Sequence, residues 1–196
     1  METPEVPLEH AHEEMAHHAH ESGDPWIMGV ALTAALLAVL AAITALLGEE
    51  YADEAMHAEI KSSDQWSFYQ AKSIKSAIVA NRIATFEALQ RPVSDAVRAQ
   101  HKRYEREQDE IKEKARELEA ESQADLVHHA WLGRGVTMFQ IAIAISAISV
   151  LTRRKVFWYV AIAFGAAGLV LLVIGADAIL YGWLVWLLKI LRLYRG

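Results

Sequence analysis

The chain has 196 residues, of which 54% are hydrophobic, no cysteine, and a formal net charge of −6. Soluble domains hold about 45–50% apolar residues, and here the excess is gathered into separate runs, which excludes a plain soluble globule and a wholly disordered chain. The acidic balance leaves no basic surplus to neutralise phosphates, so nucleic acid is not expected as a partner. The missing cysteine removes disulfides, Cys-ligated zinc and thiol catalysis.

Residues 1–25 form a polar tail with seven acids, five histidines and no Lys or Arg. The positive n-region and small-residue cleavage site of a secretory signal are missing, so the apolar run that follows is expected to be retained. On a helix, His10, Glu14, His17 and Glu21 share a face. Imidazole and carboxylate suit Zn, Ni or Cu, and His10, Glu14, His17 and His20 are the candidate ligands. The zincin pattern is not met, because Ala16 stands where its second histidine belongs. The expectation is no resident cofactor, with adventitious divalent metal at the tail set against a solvated acidic segment.

A first transmembrane helix is read over 26–48, where Trp26 to Leu47 carries no charge and Trp26 suits the headgroup level. Alanines at 31, 35, 38, 42 and 45 make a small-residue stripe that permits close helix approach. Residues 49–132 are read as a polar helical hairpin. Its first helix has apolar positions at Ile60, Ile74, Ala77, Ile78 and Leu89, and Arg91-Pro92 marks the tip. In the second helix Val97, Tyr104, Ile111 and Leu118 recur every seven residues, with His101, Gln108, Ala115 and Ser122 between them. That repeat implies a narrow, half-polar, coiled-coil-like seam. Reflection about the tip pairs positions whose numbers total about 183, bringing Trp66 near Leu118 and Ile78 near Tyr104. The mixed charges from Glu105 to Glu121 read as a solvated face.

A second transmembrane helix is read over 133–152, with Gln140 and Ser146 its notable polar members, and a third over 156–177, separated by Arg153-Arg154-Lys155. Gly165, Gly168 and Gly175 give the third a small-residue face. Residues 178–196, rich in Trp and Leu with Lys189, Arg192 and Arg195, suit an amphipathic interfacial helix. The fold class is therefore an all-α membrane protein. Three transmembrane helices carry a long antiparallel hairpin inserted between the first and second, and an amphipathic C-terminal helix follows. Lys and Arg counts on the two sides conflict, and a short acidic tail crosses more easily than the hairpin, which favours a cytoplasmic hairpin domain and C-terminus.

Two constellations stand out. Asp177 is the one acid in an apolar run, either an ion-pathway residue or an interfacial acid, and counting out from the turn puts it level with Arg134, its best partner. Asp64, Trp66, Tyr69 and Lys72 form a polar–aromatic cluster suited to a contact layer between helices. His128-His129 lie at the edge of the second span, where imidazoles can titrate near neutral pH or simply occupy the interface.

The run Asp64-Gln65-Trp66, with Tyr69-Gln70-Ala71-Lys72 and Ile74-Lys75, following an Ala-rich span, resembles the bacterial membrane-protein family called domain of unknown function 4337. Glu5-Val6-Pro7-Leu8-Glu9-His10-Ala11-His12-Glu13 is similar to that family's start. The resemblance implies a multi-pass protein of the bacterial inner membrane, and it supplies no activity and no catalytic residues. With no nucleophile–base pair or phosphate loop in sight, an enzyme is not expected. The expected function is a non-enzymatic membrane scaffold or accessory subunit whose partners are the lipid bilayer and copies of itself or a larger membrane complex. The alternative is a homo-oligomeric channel or transport component using Asp177 and Gln140.

Overall fold

The computed structural model describes residues 25–176, and these are helical throughout, joined by two short turns. Helix α1 is Pro25–Ala88, α2 is Asp95–Thr152 and α3 is Lys155–Gly175, with no strand among the described residues. Each contains a stretch long and apolar enough to cross a membrane. The acidic tail with His10, Glu14, His17 and His20, as well as Asp177 and the helix expected over 178–196, lie outside the described residues.

Neither long helix is interrupted where its composition changes. Gly48 and the acids after it sit inside α1, and the Gly133-Arg134-Gly135 stretch sits inside α2. Single glycines cost a helix about 1 kcal/mol each, less than a long helix gains from its neighbours' hydrogen bonds and packing.

The described residues divide into two compact units, one of 25–51 with 127–176 and one of 52–126. In the first, Ile27, Val30 and Ala34 of α1 pack with Ile143 and Val150 of α2, joined by Trp26, Leu37 and Trp158. A second cluster gathers Tyr51, Leu132 and Ala176. The glycine face of α3 receives bulky side chains: a Cβ at Gly168 would lie 2.8 Å from the Phe139 ring, and one at Gly175 would lie 2.7 Å from Leu132. Leu37 fills the equivalent space at Gly165. Small residues thus let helices approach where apolar driving force is weak. The outward face of α1 in this unit is Met28, Leu32, Leu36, Val39, Ile43 and Leu46, all exposed. Water-soluble surfaces seldom present so continuous an apolar strip.

The second unit has a different construction. The positions of α1 packed against α2 are small: Ala55, Ala58, Ser62, Ser76 and Val79 are buried. The large apolar residues Ile60, Ile74, Ile78 and Leu89 are exposed. On α2 the seven-residue repeat faces inward, with Ala115, Leu118 and Ser122 buried and Val97, Tyr104 and Ile111 half-buried. Contacts descend in order along the two helices, joining 62 to 115, 72 to 107 and 87 to 98.

Arg91 and Pro92 stand in the turn between them. Gln90 has φ 51°, Arg91 N–H bonds to Phe86 O at 2.9 Å, and Gln90 N–H bonds to Glu87 O at 3.0 Å. That bond pair is a Schellman C-cap, with glutamine where glycine is usual. Ser94 opens α2 by accepting from Ala96 N–H on its side chain.

Candidate functional site

The sequence cluster on α1 becomes a polar–aromatic layer between α1 and α2 in the second unit. Ser62, 1% exposed, donates its Oγ–H to the Ala115 carbonyl at 3.1 Å, and Ala115 is wholly buried. Only a small residue at 115 allows that approach. One turn further along α1, Trp66 Nε1–H donates to Glu119 Oε1 at 2.7 Å, and its ring meets Tyr69 edge-on with centroids 5.6 Å apart.

Lys72 is the hub. Its ammonium pairs with Glu107 and lies 5.4 Å from the Tyr104 centroid and 5.6 Å from that of Phe68. Gln108 adds a donor to the Lys72 carbonyl at 3.5 Å. The hydrogen bond from Lys72 holds the Glu107 carboxyl below the usual carboxylate range, helped by the charges of Lys72, Arg103 and Lys75. Gln100 donates to Tyr104 Oη at 3.1 Å, and this bond, with Arg103 and Lys75, draws the phenol below its ordinary value.

Three of the four cluster residues therefore meet α2: Trp66 and Lys72 directly, and Tyr69 through the Trp66 ring. Asp64 is exposed and stands away from the layer. Sequence reading did not name the acceptors Glu107 and Glu119. The register total of about 183 points about two residues from Glu119 and about four from Glu107, and that was the available signal.

A second junction lies wholly within the first unit. His128 bonds through Nδ1 to the Gly175 carbonyl at 2.9 Å, and His129 bonds through Nδ1 to the Gly48 carbonyl at 2.8 Å. A carbonyl only accepts, so each Nδ1 carries a proton. Tyr51, 4% exposed, stacks on His128 with centroids 4.9 Å apart and planes inclined by 16°. Nothing in the pattern of residues marked Tyr51 as the partner of His128. A Cβ at Gly48 would meet Leu132 at 3.6 Å and His129 at 3.7 Å, which is ordinary van der Waals contact, so packing does not require glycine there. Nearby, the Arg134 guanidinium lies 4.7 Å from the centroid of Trp131. Asp177, its expected partner, falls outside the described residues. Gln140 is half-buried on α2.

Among the described residues no three His, Cys, Asp or Glu are gathered as a metal set. The chemistry of both junctions is adhesive, since donors on one helix are spent on acceptors of another. The family model described as domain of unknown function (DUF4337) matches residues 26–177. No curated protein and no solved structure matches the chain.

Proposed function

The chain belongs to the DUF4337 family, and from that premise we propose that it is a non-enzymatic integral membrane scaffold or accessory subunit acting through helix–helix association. In this reading residues 26–48, 133–152 and 156–177 span a bacterial inner membrane. Residues 49–132 form an antiparallel hairpin with its tip at 91–92, and 178–196 lie in the interface. The hairpin and C-terminus are cytoplasmic. Support comes from the three long apolar helices, the apolar outer face of α1 in the first unit, and the descending order of contacts in the second.

One observation carries the scaffold reading. Met56, Ile60, Ile74, Ile78 and Leu89 are all more than half exposed. At 100° per residue they fall within an arc of about 60°, on the face opposite the one packed against α2. Ser67, Ala71 and Thr85 share that arc, and no charge lies in it between Met56 and Leu89. A stripe of this length on an otherwise charged helix suits a partner helix, from another copy or from a larger complex. The channel reading keeps Gln140 but loses its glycine face, which Leu37 and Phe139 fill within the same chain.

The cysteine-free sequence makes the test clean. Ile74→Cys should give a crosslinked adduct larger than one chain in native membranes, and Asp109→Cys, on an exposed face of α2, should not. A protein that resists crosslinking at Ile74 and purifies from mild detergent as a monomer with nothing bound would overturn the proposal.

A further inference from the structure

The first unit carries its charge unevenly. Its described acids are Glu49 and Glu50, and its cations are Arg134, Arg153, Arg154 and Lys155. Three of the four cations stand together in the turn between α2 and α3. Lys155 Nζ lies 6.0 Å from the centroid of Trp26, which fixes the turn beside the start of α1. Glu49 lies about 35 Å along α1 from Trp26, several Debye lengths away. Arg153, Arg154 and Lys155 are exposed, and none makes an ion pair among the described residues.

The turn is also held in place. Arg153 has φ 49°, and Ser149 Oγ–H donates to the Arg154 carbonyl at 3.1 Å. Trp158 Nε1–H donates to Thr33 Oγ1 at 3.1 Å, so two indoles flank the cations on a fixed frame. The first turn of α3 starts here with no side-chain cap, which adds partial positive charge from its N–H groups.

We infer that the Arg153–Lys155 turn, with Trp26 and Trp158, binds the phosphodiester headgroup of an anionic lipid. Guanidinium and ammonium groups recognise phosphate oxygens through charge-assisted hydrogen bonds, and indoles settle at the headgroup depth where those oxygens lie. A lipid brings its phosphate to that depth, whereas a dissolved anion must compete there with a whole leaflet of headgroups. The inference rests on the membrane reading above.

The test uses the full chain in nanodiscs of phosphatidylcholine, with or without phosphatidylglycerol. Lipids retained in mild detergent are counted by native mass spectrometry, and membrane insertion is read separately by resistance to carbonate extraction. The chain should retain phosphatidylglycerol over phosphatidylcholine by about tenfold. Combined Arg153→Asn, Arg154→Gln and Lys155→Gln, with Asn chosen because it tolerates the left-handed backbone, should abolish that preference and leave insertion unchanged. An inserted protein with no preference overturns the lipid site alone, while a protein extracted by carbonate overturns the membrane reading as well. If inorganic phosphate at millimolar concentration removes the preference, the site takes free phosphate and the lipid assignment fails. If preference emerges only when Glu13, Glu14, Glu21 and Asp24 are neutralised, the acidic tail is the occupant and the lipid assignment fails too.

Discussion

Trp66 and Glu119, more than fifty residues apart in sequence, share a hydrogen bond of 2.7 Å from indole N–H to carboxylate. It lies one helical turn from the fully buried Ser62–Ala115 bond, so one contact at the rim and one in the interior set the same register of α1 against α2. Trp66→Phe keeps most of the ring and deletes the donor. Because the bond is exposed, the change should cost about 1 kcal/mol, seen as a lower thermal midpoint in detergent. Ala115→Leu should cost more, about 1–3 kcal/mol, because it forces the two backbones apart.

The Lys72–Glu107 pair gives the second unit an acid limit. The Glu107 carboxyl is held below its unfolded value, so its contribution to stability is complete above the unfolded pKa of about 4.3. It is lost as pH falls through the lower folded value. Between about pH 6 and about pH 3 the thermal midpoint of Glu107→Gln should therefore fall less than that of the parent chain. An identical slope in the two proteins would mean that the pair contributes nothing to folding.

Gln90 occupies the left-handed C-cap position that favours glycine. Gln90→Gly should stabilise the chain by about 0.5–1 kcal/mol, and Gln90→Val should destabilise it. Both are read as thermal midpoints. The opposite order would mean that the cap is not formed in solution.

How much of this was legible in the sequence differs from residue to residue. On α2 the positions of the seven-residue repeat are buried or half-buried, and Arg91-Pro92 lies between the end of α1 and the start of α2. In both cases the signal is local chemistry, apolar spacing in one and a missing N–H in the other. Trp66 meets Glu119, next to the expected Leu118, whereas Ile78 is 63% exposed and Tyr104 instead lies beneath Lys72. The reason is that the α1 interface is built from Ala and Ser. Apolar periodicity marks large residues, and here those occupy the opposite face. The His128–Tyr51 stack and the His129–Gly48 bond join positions with no common spacing, and only tertiary packing reveals them.

The glycines separate by what their missing Cβ would strike. Gly168→Ala should cost about 1–3 kcal/mol, because the buried Phe139 ring has nowhere to go, and Phe139→Leu should recover part of the loss. Gly29→Ala, with nothing described within 4 Å, should be neutral or stabilising by up to about 1 kcal/mol. Thermal midpoints of the three variants check the set. Equal losses at Gly29 and Gly168 would contradict the packing.

The paired histidines have a consequence for how the helices of the first unit are held against sliding. Each ring gives its Nδ1–H to a carbonyl, one at the end of α3 and one within α1. Successive residues of a helix point about 100° apart, so one level of α2 reaches two different helices. A shift of α2 along its axis by a single residue, about 1.5 Å, would strain both bonds at once. The junction is a latch: consecutive side chains on α2 hold both neighbours at one height.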